Sequence, residues 1–215
     1  TARIDEILAE DLKDTQPKRV LHIACGTGRR ALGIREASGV NYTVEGVDIS
    51  ASMVEQARKR GVQARIGVWN ECGADKGAHD AVTFLYAFGH IPSEDERRES
   101  LDKVFSALKP GGRFYFDVFN LDNANEWGPE ALRNFKELNL SEEGYEQGDL
   151  FYKRHNGTSV SFLHYFTQDG IAEMVKACGF EIAEIHRIGY VKRCGESLAL
   201  GDEGGNFLII AEKPH

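Results

Sequence analysis

The sequence predicts an α/β fold: a doubly wound, seven-stranded, mostly parallel sheet with helices on both faces. Three observations carry that expectation. Short apolar runs rich in strand formers alternate with amphipathic helical stretches along most of the chain. The first strand runs into a turn of small residues, Ala24-Cys25-Gly26-Thr27-Gly28, against which a ligand can lie. The next strand ends in an acid, Asp48, 20 residues beyond Gly28, the spacing of a nucleotide-binding half-fold.

Ile4, Ile7, Leu8 and Leu12 recur at helical spacing between Thr1 and Asp14, so an N-terminal helix is expected over 1–17, ending before Pro17. Val20 to Ala24 is the first strand, and Arg29 to Ala37 the helix after the turn, with Ala31, Leu32, Ile34 and Ala37 as its packing positions. Tyr42 to Val47 is the second strand. Ser50 is placed to cap a helix from Ala51 to Arg60, stopped by Gly61. Val62 to Trp69 reads as strand three and His79 to Leu85 as strand four, whose end delivers Tyr86-Ala87-Phe88-Gly89-His90-Ile91. Ser93 caps a helix from about Glu94 to Leu108, whose charged face, Arg97 included, reads as solvated. Lys109-Pro110-Gly111-Gly112 is expected as a sharp turn before strand five, Arg113 to Phe119.

The alternation breaks at 120–166. A helix within Asp122 to Phe135 is expected to be interrupted by Gly128-Pro129, and Asn156-Gly157 joins two strand-like runs as a hairpin. This segment reads as an insertion covering the site, or alternatively as a dimerisation arm. Thr167 then caps the helix Gln168 to Ala177, ended by Gly179, and Phe180 to Val191 and Asn206 to Lys213 are the closing strands. The whole of 1–215 is expected as one domain.

Composition narrows the partners. Asp and Glu total 34 against 26 Lys and Arg, a net charge of −8, which argues against general nucleic-acid binding. Cys25, Cys72, Cys178 and Cys194 are scattered, with no metal-ligand spacing, so no metal is expected. With no recognisable leader and no bilayer-long apolar run, the expectation is a cytoplasmic protein, monomeric or homodimeric, without membrane contact.

The loop itself admits two readings. Gly26-Thr27-Gly28-Arg29-Arg30-Ala31 fits G-x-G-x-x-A, so a dinucleotide such as NAD fits the spacing. The other reading rests on similarity. VLHIACGTG, VEGVDISASMVEQAR and LKPGGRFYFDV resemble the successive motifs of class I S-adenosylmethionine (SAM)-dependent methyltransferases over about Arg19 to Val118. The resemblance implies SAM as cofactor, with S-adenosylhomocysteine as its product, and an antiparallel last strand.

It also implies roles for residues. The loop residues Ala24, Cys25, Gly26 and Gly28 lie against the cofactor, Asp48 takes its ribose, and Ile49 and Met53 lie near the adenine. The acid that often follows strand three falls on Val68, so Trp69 and Asn70 are its substitutes. His22 stands where the family carries the acid that holds the methionine amino end, and Leu85 lines the site from strand four. Ala24 replaces a glycine and is expected to need no positive φ.

A methyl sulfonium is already activated, so the protein supplies alignment and exclusion of water. An acceptor hydroxyl also needs a base. His90, then Tyr86, are the leading candidates, with His155, His164 and Tyr165 behind them. The expected function is methyl transfer to the oxygen or nitrogen of a small molecule. The alternatives are a non-catalytic SAM-binding regulatory domain, an NAD-dependent oxidoreductase, and an RNA or protein methyltransferase.

Overall fold

The computed structural model describes residues 2–68, 75–153, 160–189 and 205–215. Trp69, Asn70, Cys72, His155, Asn156, Gly157 and Cys194 lie outside the described residues. The chain runs α1 (Ala2–Thr15), β1 (Arg19–Ile23), α2 (Arg29–Ser38), β2 (Thr43–Asp48), α3 (Ala51–Lys59), β3 (Gln63–Ile66), β4 (His79–Phe84), α4 (Glu94–Ala107) and β5 (Leu108–Asn120). It continues through α5 (Gly128–Glu137), β6 (Asp149–Lys153), β7 (Val160–Phe166), α6 (Gln168–Ala177), β8 (Glu181–Ile188) and β9 (Asn206–Glu212).

The sheet order is β3-β2-β1-β4-β5, continued by β9 and then β8. Strands β1 to β5 are mutually parallel, and β9 is antiparallel to both β5 and β8, the reversed last strand that the sequence led us to expect. Order reverses between β1 and β4, and open α/β sheets bind ligands at that point, beyond the carboxyl ends of the strands.

Two apolar layers fix the sheet between its helices. On one face Phe84, Phe88, Phe114, Phe116 and Phe180 pack with Leu101 and Val104 of α4 and Ile171 and Val175 of α6. On the other, Ile4, Leu8 and Leu12 of α1 meet Ala31 and Ile34 of α2 and Val54 and Ala57 of α3. Ser38, rather than Ala37, completes the buried face of α2, because the helix runs one residue further than its apolar pattern.

Four sequence expectations change. Lys109 to Gly112 is not a separate turn: β5 begins at Leu108, which pairs with His79, and a bulge before Ala81 absorbs Gly111 at φ 72°. Gly128-Pro129 starts α5 instead of interrupting it, since proline in the first turn forfeits no helical hydrogen bond. Ser50 occupies the N-cap position of α3 but its hydroxyl makes no cap bond; it meets Ser52 Oγ at 3.1 Å. Arg97 is fully buried, because its place on α4 falls among Ser100, Leu101 and Val104; its guanidinium donates to the Ile91 carbonyl (2.9 Å) and pairs with Glu146.

The 120–166 segment is attached by its last strand. β7 pairs antiparallel with β6 and joins the end of β5 in parallel through Phe119–Tyr165 and Asn120–Phe166. Glu146 accepts from the Glu94 amide at the start of α4 (2.9 Å) as well as from Arg97, so the insertion is held to the helix that follows the strand-four edge. Phe116 stacks on Phe114 at 4.6 Å and lies against Phe88 at 5.1 Å, joining β5 to that same edge. Phe116→Ala is expected to lower unfolding free energy by about 3–5 kcal/mol in urea denaturation.

Candidate active site

Ile23 pairs with Val47 on one side and Phe84 on the other, so Ala24, Asp48 and Leu85 leave the sheet at one level. Asp48 organises this edge. Its Oδ2 accepts from the Gly26 amide at 2.7 Å and its Oδ1 from the Ser50 amide at 2.9 Å, while the Cys25 amide donates to the Val47 carbonyl at 3.0 Å. The glycine loop is thereby fastened to β2 and to the start of α3.

The two loop glycines serve different ends. Gly26 sits at φ 54° and an added Cβ there would meet nothing within 4 Å, so its bare side faces open space. At Gly28, φ 75°, a Cβ would lie 2.7 Å from Val62 Cγ2, so this glycine lets the loop pack on the residue before β3. Ala24 does adopt positive φ, 53°, contrary to the sequence expectation. The hydrogen bonds of Cys25 and Gly26 over-determine the turn and hold an alanine in a region that costs L-residues about 1–2 kcal/mol.

Two cavities open beside Ala24. The first, about 190 Å³, is bounded by Ile23, Ala24, Asp48, Ile49, Gly67, Val68, Ala87, His90 and Ile91. Ile49 stands 73% exposed at its rim, an uncovered apolar side chain. The second, about 260 Å³, is bounded by His22, Ala24, Cys25, Arg30, Thr83, Leu85, Tyr86 and Ala87. Ile23, Ala24 and Ala87 border both. Met53 lies on α3, 39% exposed and on neither wall, so it is not the core methionine that its position also allowed.

His22 is buried on the wall of the second cavity. Its Nδ1 shares a 2.7 Å hydrogen bond with the Thr83 hydroxyl, and its Nε2 has no hydrogen-bond partner among the described residues. Burial pulls its pKa down from 6.5 to about 3, so the imidazole is neutral at physiological pH. Cys25 is pushed up to about 11 by burial, reinforced by the Asp48 carboxylate, which makes it a thiol and a poor nucleophile.

The leading catalytic candidates fall on different walls. His90 is exposed at the first cavity, and its Nδ1 donates to the Phe162 carbonyl of β7 at 3.0 Å, leaving Nε2 directed elsewhere. Tyr86 borders the second cavity at φ 57°; its amide donates to Asp117 Oδ1 at 2.6 Å and its ring lies 4.1 Å beneath the Arg30 guanidinium. Burial raises the Tyr86 phenol above its ordinary range, with Asp117 adding to the rise and Arg30 opposing it. His164 is on neither wall: it is buried in the insertion with its Nδ1 2.6 Å from Asp149. Tyr165 packs with Leu121, Leu150 and Leu163 inside the insertion.

Sequence reasoning passed over Arg30, Thr83 and Asp117. Arg30 stands two residues past Gly28, and Asp117 is the lone charge in the apolar run Phe114 to Phe119; both signals were visible. Thr83 carried none.

A glycine loop after β1, an acid at the end of β2 and a parallel sheet closed by an antiparallel strand together define a class I SAM-dependent methyltransferase. Residues 2–185 match the family described as a methyltransferase domain, and the chain belongs to that family. It is 29% identical over 191 residues to the glycine/sarcosine N-methyltransferase of Halorhodospira halochloris, a match covering 82% of this chain and 70% of that enzyme. It is 26% identical over 174 residues to a tRNA N(3)-methylcytidine methyltransferase of Schizosaccharomyces pombe, covering 75% of this chain but only 51% of that protein. Among solved structures, a SAM-dependent methyltransferase of Methanosarcina mazei superposes with a TM-score of 0.73 at 19% identity, covering 93% of each chain. The cofactor is SAM. Among the described residues no helix is long and apolar enough to cross a membrane, and no group of His, Cys, Asp or Glu is arranged to hold a metal ion.

Two outcomes test this edge. A Cβ at Gly46 would fall 2.6 Å from Cys25 Sγ and 3.3 Å from Val62 Cγ1, so Gly46→Ala is expected to displace the glycine loop and weaken binding of S-adenosylhomocysteine by titration calorimetry. For His22, a base held neutral in the fold takes up its proton on unfolding between about pH 3 and 6.5. Its contribution to stability is complete above that window and declines as pH falls through it. Urea midpoints are expected to fall from pH 7 to pH 5, with a shallower fall in His22→Asn.

Proposed function

We propose that the chain transfers a methyl group from SAM to the oxygen or nitrogen of a small-molecule acceptor. The observation that carries this reading is the Asp48 carboxylate. Each of its oxygens accepts one backbone N–H and keeps lone-pair capacity for a ribose hydroxyl, beside a glycine whose bare side faces open space. SAM, when bound, supplies a methyl sulfonium that needs no further activation.

The residues fit the two ends of that cofactor. Ile49 and Val68 form apolar walls for an adenine in the first cavity, while Met53 of α3 lines neither cavity and Trp69 and Asn70 lie outside the described residues. Ala24, Cys25, Gly26 and Gly28 form the loop over which the ribose and methionine pass. In the second cavity His22, whose side chain is buried in the wall, lies at the methionine amino end and Arg30 meets its carboxylate, with Leu85 as an apolar wall. A neutral His22 presents no charge to repel the ammonium, which removes the chief argument for a degenerate regulatory domain.

Methyl transfer forms an acceptor–carbon bond as the sulfur–carbon bond breaks, with the electron pair returning to sulfur. Ala87, common to both cavities, lies where their contents adjoin, and the acceptor approaches there, beside His90, to which the 120–166 insertion is bonded through the Phe162 carbonyl. His90, oriented through Nδ1 by the Phe162 carbonyl, offers Nε2 to the acceptor's proton. Tyr86, its phenol raised above its ordinary range by burial, stays protonated and neutral beside the second cavity.

Small acceptors are favoured over RNA by the net charge of −8 and by the broader match to the glycine/sarcosine enzyme. The protein acts as a monomer or homodimer in the cytoplasm. Calorimetric titration with SAM, S-adenosylhomocysteine and NAD, repeated on Asp48→Ala, tests the cofactor site. Binding of the sulfur ligands that weakens at least about 100-fold in Asp48→Ala is expected, from two lost charge-assisted hydrogen bonds. Binding of NAD alone, or equal affinity in the variant, would overturn the assignment. An acceptor screen with His90→Ala then reads the proposed base.

A further inference from the structure

We infer that Asp117 is a positioning residue for the cofactor site, acting through the backbone of Tyr86. This rests on the cofactor reading above. Asp117 sits in the middle of β5 between Phe116 and Val118, 5% exposed, where an ionised carboxylate is costly unless it is hydrogen-bonded. It lines neither cavity. Its Oδ1 instead accepts from the Tyr86 amide at 2.6 Å, directly past the end of β4.

Tyr86 needs that support. At φ 57° it occupies the left-handed region, which an aromatic L-residue adopts only when its surroundings over-determine it. The turn it makes has two consequences. It sends Ala87 between the two cavities and carries the chain on to His90 and Ile91 of the first wall. It also lays the Tyr86 ring 4.1 Å beneath the Arg30 guanidinium, which pairs as well with Asp5 of α1 through Nε at 3.2 Å. The buried acid thus sets where Arg30, the one cation on the second cavity's wall among the described residues, stands. Strain at one residue and a buried carboxylate one strand away explain each other.

The test is a double-mutant cycle read by S-adenosylhomocysteine affinity and by melting temperature, on the unmodified chain, Asp117→Ala, Tyr86→Gly and the pair together. Glycine takes φ 57° without penalty, so it no longer needs the carboxylate. Asp117→Ala is expected to weaken binding about tenfold in the unmodified background, the cost of letting Tyr86 leave the left-handed region. In the Tyr86→Gly background the same change is expected to cost less than about twofold. Asp117→Asn keeps an acceptor oxygen and is expected to stay within about threefold of the unmodified chain.

Equal losses from Asp117→Ala in both backgrounds would overturn the inference, as would an Asn variant as weak as the Ala variant. So would a lowered melting temperature with unchanged affinity. If Asp117→Ala alone fails to fold, recovery of folding and binding in the paired variant supports the inference, and failure of both overturns it. An unmodified chain that binds no S-adenosylhomocysteine would remove the cofactor reading and this one with it. Binding by that chain without coupling between the two positions would remove this one alone.

Discussion

The site depends on one carboxylate in the fork between a loop and a helix. Asp48 ends β2 and bonds backwards to the Gly26 amide and forwards to the Ser50 amide. Charge-assisted bonds of this kind are about twice as strong as neutral ones, and here two of them share one side chain. Their effect is geometric. The loop after β1, the end of β2 and the first turn of α3 become one rigid piece, and Ala24 is held in a backbone region that it would not choose. A ligand that reaches Asp48 therefore meets a surface already formed, with little left to order on binding.

The strand-four edge is built by the same logic one strand further on. There Asp117 meets the amide of Tyr86, as Asp48 meets that of Gly26. Ala24 and Tyr86 lie one and two residues past the Ile23–Phe84 pair that ends β1 and β4, both at positive φ, so the two left-handed turns part the chain on either side of the switch point. The cavities are the space that those turns leave. Strain at two residues just beyond the strand ends, away from the register shifts in β4–β5 and β8–β9, is how a scaffold carries a site without loosening its core.

The insertion is joined to this edge by polar contacts. His90 meets the Phe162 carbonyl, and the buried Arg97 ties Ile91 to Glu146. Glu146 in turn donates its amide to Asp149, the partner of His164. A segment that departs from the parent α/β pattern is thus bonded to the wall of the first cavity through His90 and Ile91.

Much of this was legible in the chain itself. The alternation of strand and helix, the small-residue loop and Asp48 at its spacing are local patterns, and local patterns determine local structure because they act through φ/ψ preference and periodicity. Apart from the earlier start of β5, they placed the described strands to within a few residues and put Ala24, Gly26, Asp48, His90 and Tyr86 at one edge of the sheet. What the chain did not disclose was long-range. The burial of Arg97 came from which face of α4 meets the core, and the pairing of Asp117 with Tyr86 spans 31 residues of sequence. Neither the neutrality of His22 nor the positive φ of Ala24 follows from residue type, since one is set by burial and the other by the bonds of its neighbours. Sequence by itself determined the sheet, its loop and its acid. Only the tertiary structure decided which charges are buried and which backbones are strained, because those depend on partners brought together after the strands have formed.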